Sequence, residues 1–461
     1  MIEYDEIAEA NLDEKWKPWF IKAFRAQDEI AAFVSQYRQG RASGKPKFHR
    51  GSFNLCIQVT FHDGGPDAII RFPRPGHSAF SEEKVKKEVG AMVILQRETT
   101  IPLPRLIHWG LTADSPQQLG PFIITEFVSG MHLSKFLRDP TENENESKTH
   151  YLDPNIDNEI LDVIYDQVAD FMLQIFQLDF NRIGAISQQP GSNAQDIERP
   201  LTYGMNELAT LTGYPINEFS TKQFKRVTDY FEALTNQHMT HLWTQRNIAY
   251  SPASAKALYI ARHQFPKLIS QYCIDDEGPF KLFCEDLRPG NMLMDPKTLR
   301  ITAVLDFEFT NSMPAQFASD PPWWLLLVGP DTWLQRGRTM GDFIAAYEPR
   351  KDQFIKAIER AEARSIEAGT TSRQSLSRLM RESWDTKRFW FDYAVRKPLD
   401  IDDLFYRHLN VGGGADAELL DDAELAGLEP FIKVKMEQLA EYKRDRTKYF
   451  EAKEQGNSTS F

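Results

Sequence analysis

The chain has 461 residues, more than one ordinary core, and 41% apolar with 26% charged side chains, the balance of a folded globular protein. Its 31 Phe, 15 Tyr and 9 Trp exclude a wholly disordered chain. Asp plus Glu number 66 against 54 Lys plus Arg, and the resulting net charge of −12 disfavours nucleic acid or an anionic membrane as partner.

Mixed three- and four-residue spacing of Trp16, Phe20, Ile21, Phe24, Ile30 and Phe33 predicts helix over 3–37. A polar stretch, 40–47, follows. Leu55, Ile57, Val59 and Phe61 then alternate with polar or small residues, the period of a strand. The turn signal His62-Asp63-Gly64-Gly65-Pro66 and a second apolar run, 68–72, make 55–72 a hairpin. A helix is expected from Ser81, as N-cap, to about Gln96, with Val85, Val89, Met92 and Val93 as its apolar stripe. Glu88 falls on that stripe, where a carboxylate needs a cationic partner. Pro102 and Pro104 close this region, and 106–109 and 122–127 read as further strands.

Beyond residue 130 the composition shifts. The run 141–148 reads as an exposed loop, and Ile160, Ile164, Val168, Phe171, Met172, Ile175 and Phe176 mark a long amphipathic helix. Helical patterns recur at 221–247, 252–271, 337–347, 351–368, 372–396 and 430–447, with one β segment at 281–306 and a frayed end at 452–461. No internal repeat is visible. The expected fold is α+β and bilobal. Residues 1–128 form a small antiparallel-sheet lobe with one helix, preceded by a helical extension to about residue 40. Residues 129–461 form a large helical lobe, and a ligand site is expected between the two. Cys56, Cys273 and Cys284 have no C-x-x-C spacing, which speaks against a zinc knuckle. The acidic start lacks a signal-peptide pattern, and the run Trp323–Val328 is too short to cross a bilayer. A cytoplasmic protein is expected, with no partner protein inferable.

The chemistry concentrates in 281–306. A short strand delivers Asp286 to a loop, Pro289-Gly290 turns it, and Asn291 opens a hairpin whose turn is Asp295-Pro296-Lys297-Thr298. The returning strand, 301–305, brings Asp306 within two or three residues of Asn291. Hard cations such as Mg²⁺ take oxygen ligands, one or two carboxylates with substrate phosphates. Asn291 and Asp306 would be the protein ligands, and Asp286 would be free to orient a hydroxyl and accept its proton.

Cys284-Glu-Asp286-Leu-Arg-Pro-Gly-Asn291 and Val304-Leu305-Asp306-Phe307-Glu308 resemble the catalytic segment of the aminoglycoside phosphotransferase-like and choline-kinase-like small-molecule kinases, H-G-D-x-H-P-G-N followed by I-D-W/F-E. The resemblance implies a protein-kinase-like fold and covers most of residues 45–330. It implies ATP and Mg²⁺ as cofactors, Asp286 as the catalytic base, and a nucleotide loop at Arg50-Gly51-Ser52-Phe53-Asn54 with Gly51, Ser52 and Asn54 as binding residues. It also implies an ion pair between Arg71 and Glu88, and an adenine-contacting hinge at Glu126-Phe127-Val128 in which Glu126 and Val128 take part. The chain departs from the pattern, and its nucleotide loop has a single Gly. Cys284 and Arg288 stand where the family has His, and Arg71 stands where it has Lys.

Two functions follow. One is ATP- and Mg-dependent phosphotransfer to a hydroxyl of a small molecule. The other, raised by the departures, is a kinase-fold binding or scaffold protein with weak or no turnover. Protein kinase activity is disfavoured, because no A-P-E follows Asp306 and Asp306-Phe307-Glu308 lacks the Gly of D-F-G. Cys284 reads as a small buried hydrophobe, and Arg288 as either an ion-pair partner or a phosphate contact. Asp320 reads as a helix cap. Trp384, Phe389, Trp390, Phe391 and Tyr393 read as helix core. Glu382 and Asp385 fit an acceptor pocket or a solvated face equally.

Overall fold

A computed structural model describes residues 4–141, 149–187, 196–334, 337–369, 374–410 and 419–457. Helices α1 (Glu6–Arg25) and α2 (Gln27–Arg38) precede strands β1 (Ala42–Arg50), β2 (Asn54–Phe61) and β3 (Ala68–Pro73), then α3 (Ser81–Glu98), β4 (Leu106–Gly110) and β5 (Phe122–Glu126). The strands form one antiparallel sheet in the order β1-β2-β3-β5-β4. Alternation along β2 and β3 sends Leu55, Ile57, Val59, Ile70 and Phe72 into a core capped by Trp16, Ile30 and Val34 of the two helices.

The sheet has five strands where about four were expected. β1 occupies the polar stretch 40–47 and beyond. It is an edge strand with most of its side chains in solvent, so it carries no apolar alternation to read. Ser81 is the first residue of α3 and not its cap: Phe80 holds the cap position, and Ser81 Oγ donates to the Ser78 carbonyl at 3.3 Å.

The helical lobe holds β6 (Met131–His132), α4 (Leu133–Leu137), α5 (Asn158–Phe176), β7 (Asp179–Phe180), β8 (Gly184–Ser187), β9 (Asp196–Glu198), α6 (Tyr203–Leu211), α7 (Val227–Thr244), α8 (Pro252–Gln264) and α9 (Ile269–Tyr272). Next come β10 (Phe280–Phe283), β11 (Met292–Asp295), β12 (Arg300–Val304), β13 (Asn311–Met313), α10 (Ala315–Ala318) and α11 (Pro330–Leu334). The last are α12 (Met340–Glu367), α13 (Leu376–Asp385), α14 (Arg388–Arg396), α15 (Ile401–Leu404) and α16 (Asp422–Asn457). The order β7-β10-β13-β8-β9 makes a second sheet, of which only β10 lies in the expected β segment. Its strands of two to four residues are too short for a periodic signal.

Two expected helices, 337–347 and 351–368, are one helix that runs through Pro349, and 372–396 divides at Lys387, whose φ is +63°. The expected frayed end is helical as far as Asn457, with 458–461 outside the described residues. Of the expected loop 141–148, only Thr141 is described. No described helix is long and apolar enough to cross a membrane.

Helix α1 touches both lobes. At its start Asp5 N donates to the Leu211 carbonyl at 2.9 Å, Glu6 N to the Tyr442 hydroxyl at 2.8 Å, and the Tyr449 hydroxyl to Asn11 and Glu14 at 2.9 Å each. Further along, Trp19 Nε1 and Lys22 Nζ donate to the carbonyls of Leu119 and Gln117, both at 2.6 Å, and Trp16 stacks against Arg74 at 4.3 Å.

Candidate active site

Strand β10 ends at Phe283, and the chain passes Cys284 and Glu285 to reach Asp286. A short helical turn over Pro289–Asn291 then feeds β11. Asp286 accepts from Asn291 Nδ2 at 2.7 Å and from Arg288 Nε at 2.5 Å. Arg288 is thus the ion-pair partner of the loop's carboxylate, one of the two readings the sequence left open. Burial raises the Asp286 pKa above the ordinary aspartate value, Arg288 pulls it back, and the Asp306 charge adds to the rise.

The β11–β12 hairpin pairs Met292 with Val304, and Leu305 N donates to the Asn291 carbonyl at 2.7 Å. Asn291 therefore lies opposite Leu305. A bulge between Leu293 and Met294 of the pairing inserts one residue on β12 and brings Asp306 next to Asn291's partner. Asp306 has φ +63°, a left-handed conformation uncommon for non-glycine residues.

From the opposite lobe, β3 supplies Arg71 and α3 supplies Glu88. Arg71 Nη2 pairs with Glu88 Oε1, and its Nη1 donates to Asp306 Oδ1 at 3.0 Å. The expected pair is present, and the guanidinium fork also ties the two lobes together. The Glu88 side chain is 2% exposed, so the cation it needed is supplied.

A cavity of about 440 Å³ lies between these groups, lined by Gly51, Ser52, Asn54, Arg71, Glu88, Asp286, Asn291 and Asp306 among others. Ile69, Met92, Ile123 and Val304 give it an apolar flank. Gly51 N donates to the Asn54 carbonyl at 2.9 Å, and Arg74 Nη1 donates to the carbonyls of Gly51 and Ser52 at 3.0 and 2.7 Å, which fixes the loop. Glu126 and Val128 do not line the cavity. Glu126 ends β5 with its side chain on Arg105 at 2.6 Å, and Ile123 and Thr125 are the β5 residues that face inward.

The sequence reading passed over two charged residues here. Lys84 and Glu308 form a buried ion pair; Lys84 Nζ also donates to Asn54 Oδ1 at 3.0 Å, and Asn54 Nδ2 to Glu308 at 2.9 Å. Burial and the Asp306 charge push the Glu308 carboxyl up, against the pull of Lys84. Two signals were available: Lys84 lies four residues before Glu88 on the same helix face, and Glu308 stands in the Val304–Glu308 run. Among the described residues Glu88, Asp306 and Glu308 bring carboxylate oxygens within 4.8 Å of one another. The oxygen chemistry suits a hard cation: Asn291 spends its amide nitrogen on Asp286, which leaves its Oδ1 for a ligand role, and Asp306 lines the cavity beside it.

A second cavity, of about 470 Å³, opens on the other face of Asp286 and shares Asp286, Arg288 and Tyr203 with the first. It is rich in carboxylates that the sequence reading did not single out: Glu207, Glu285, Asp331 and Asp400, with Lys397 among them. Burial pushes Glu207 up to about 7, Lys397 opposing, and burial with the Asp331 charge pushes Asp400 well up. Tyr4, from the segment before α1, forms part of the wall. Glu382 pairs with Arg378 at 2.5 Å on an exposed helix face, and neither it nor Asp385 lines this cavity.

Three other readings are settled by packing. Cys284 is buried, with its thiol pKa raised to about 12 by desolvation. Asp320 caps no helix: it is buried, accepts from Ser383 Oγ, and lies 3.8 Å from Arg396. The aromatic cluster of α13 and α14 packs as core, with Phe389, Trp390, Phe391 and Tyr393 all buried.

No family model matches the sequence, and no curated protein matches it. Solved structures do. A putative aminoglycoside phosphotransferase from Ralstonia eutropha JMP134 is 16% identical with a TM-score of 0.45, over 90% of this chain and 98% of that one. Aminoglycoside phosphotransferase APH(4)-Ia, in a ternary complex with AMP-PNP and hygromycin B, is 13% identical with a TM-score of 0.43, over 88% of this chain and 98% of that one. Plasmodium vivax ethanolamine kinase is 12% identical with a TM-score of 0.40, over 86% of this chain and 82% of that one. Likenesses of this size leave function to the chain's own residues.

Proposed function

We propose that the protein is a phosphotransferase that moves the γ-phosphoryl group of ATP, with Mg²⁺, to a hydroxyl of a small molecule. The reading keeps the division expected from the sequence, with 1–128 as the nucleotide-side lobe and 129–461 as the lobe of the catalytic loop and acceptor site. The observation that carries it is the position of Asp286. It stands where two cavities meet, with Asn291 and Asp306 lining one and a set of carboxylates lining the other.

In this reading Asn291 and Asp306 hold Mg²⁺, which supplies neutralisation of phosphate charge. Arg71 lies between Glu88 and Asp306, its guanidinium set to contact the phosphates while Glu88 holds it in place. Gly51, Ser52 and Asn54 close the phosphate end, and Ile123 and Thr125 of β5, rather than Glu126 and Val128, flank the nucleotide. Asp286 orients the acceptor hydroxyl and takes its proton late in the transfer, and the raised pKa suits a proton acceptor working near neutrality. Glu207, Asp331 and Asp400 favour an acceptor that carries a positively charged amine, because a cation offsets the burial and neighbouring negative charge that push Glu207 and Asp400 up.

The test is turnover of Mg-ATP against a panel of amino alcohols and aminoglycosides, including ethanolamine, aminopropanol, kanamycin and hygromycin B, with neutral polyols as controls. Acceptor-dependent ADP formation supports the reading. Nucleotide binding without turnover on a broader panel would favour a binding or scaffold protein. One observation speaks for that second reading: the Asp306 carboxylate is already engaged by Arg71.

A further inference from the structure

The residue immediately before Asp286 is gripped from far along the chain. Arg396, the last residue of α14, donates from Nη1 to Glu285 Oε1 at 2.9 Å, and Lys397 Nζ lies 3.4 Å from the same oxygen. Trp323 Nε1 donates to the Glu285 carbonyl at 3.4 Å, so both the side chain and the backbone of residue 285 are tied. The Arg396 and Glu285 side chains are 7% and 13% exposed. Burial alone would raise the Glu285 carboxyl, but Arg396 and Lys397 more than reverse this and hold it below its ordinary value.

Arg396 is itself fixed. Its guanidinium lies over the Phe283 and Phe317 rings at 4.8 and 4.9 Å, and its Nε donates to the Asp392 carbonyl at 2.9 Å. Phe283 is the last residue of β10. One side chain therefore grips the strand before the loop and the loop itself, on either side of Cys284. Cys284 offers only a weak thiol donor, so it cannot hold the loop by strong hydrogen bonds. A buried ion pair adds little stability over a well-packed apolar pair, but it holds a geometry that dispersion contacts do not specify.

We infer that the Arg396–Glu285 ion pair is a positioning clamp for Asp286: it fixes the peptide ahead of the base and so aims the Asp286 carboxylate at the junction of the two cavities. The inference rests on the reading of Asp286 as the base. Arg396 lines neither cavity, so an effect of Arg396 on turnover is indirect, and the comparison with Glu285→Gln separates the route through Glu285 from those through its other contacts, Phe283 and Asp320.

The test uses the full chain with Glu285→Gln, Arg396→Lys and Arg396→Gln, and Asp286→Asn as reference. Hydrogen–deuterium exchange of peptides spanning 282–292 reads the loop. Phosphate release from Mg-ATP, with water as acceptor, reads turnover, and calorimetry with ATP reads the nucleotide side. Glu285→Gln is expected to speed exchange in the loop and to lower turnover about tenfold or more, with ATP affinity unchanged. Arg396→Lys should retain part of the turnover, Arg396→Gln should match Glu285→Gln, and the double variant should fall no further than either single one. Unchanged exchange in Glu285→Gln overturns the clamp even if the Arg396 variants fail to fold. Faster exchange with unchanged turnover, while Asp286→Asn lowers it, overturns the positioning role. If Asp286→Asn leaves turnover at the wild-type level, the base assignment fails instead, and exchange alone then decides the clamp.

Discussion

The two cavities that meet at Asp286 are of similar size, about 440 and 470 Å³, yet they balance charge in opposite ways. In the first, the proposed nucleotide side, the charges are paired: Arg71 with Glu88 and Asp306, Lys84 with Glu308. In the second, the proposed acceptor side, Glu207, Asp331 and Asp400 outnumber the nearby Lys397, and burial pushes Glu207 up to about 7. A prepaired site gives up little when a polyanion and its metal arrive together, because cations and anions are already in place to be shared. An unbalanced site gains most from a ligand that brings the missing charge.

The largest way to break this contrast is Asp306→Asn. It removes a proposed metal ligand and one partner of Arg71, and Mg-dependent ATP binding should be lost by calorimetry while the circular dichroism spectrum is kept. Unchanged Mg-ATP affinity would remove Asp306 from the metal site.

Asp286→Asn should lower kcat by about 10²- to 10⁴-fold with little change in ATP affinity, the scale of a lost general base. Its pH profile sharpens the point. A base must be deprotonated, and the Asp286 pKa is raised, so kcat/KM should fall with decreasing pH at values above the ordinary aspartate range. Arg288 opposes that rise, so Arg288→Gln should move this acid limb to higher pH.

Arg71→Met should weaken ATP binding and also destabilise the fold by about 3–5 kcal/mol in urea unfolding, since it strands the buried Glu88. Arg71→Lys should recover part of the stability, with less of the forked geometry. Wild-type stability and ATP affinity in Arg71→Met would show the pair to be dispensable.

Glu207→Gln is expected to have the smallest effect, a rise in KM for a cationic acceptor of about tenfold at pH 8, the order of one charge-assisted contact. At pH 5.5 the wild-type carboxyl is mostly protonated, so the difference should shrink there. Stability should move the opposite way. The folded-state pKa, about 7, lies above the unfolded value, so the fold is favoured by protonation and loses stability as pH rises from about 4.5 through 7. Glu207→Gln should therefore raise Tm at pH 8 more than at pH 5. An acceptor KM and a Tm difference that ignore pH would refute the charge imbalance.

How much of this could be read in the sequence follows from how each part is built. The catalytic loop and hairpin are contiguous, with a proline–glycine turn and a clear strand period, so Asp286, Asn291 and Asp306 were found together. The one-residue bulge that moves Asn291 opposite Leu305 leaves no sequence mark. Glu88 announced itself as a carboxylate on an apolar stripe, whereas its neighbours Lys84 and Glu308 were hidden because each, seen alone, looks like an ordinary surface charge. β1 escaped because an edge strand buries too little to show a pattern. The second cavity draws on Tyr4, Glu207, Glu285, Asp331, Lys397 and Asp400, residues that only the packing of separate segments brings together. Asp320, two residues before a helix-like aromatic run, looked like a cap. Its true surroundings, Ser383 and Arg396, lie more than 60 residues away.

Helix α1 has 20 residues and hence a length of about 30 Å. It is pinned to Leu211 and Tyr442 at one end and to Leu119 and Gln117 at the other. A rod fastened across a cleft acts as a spacer. It sets the resting separation of the two lobes and resists both a wide yawn and a full bite. The same helix passes Arg74, which grips the Gly51–Ser52 loop of the first cavity, while Tyr4, just ahead of its first turn, lines the second, so one element borders both cavities.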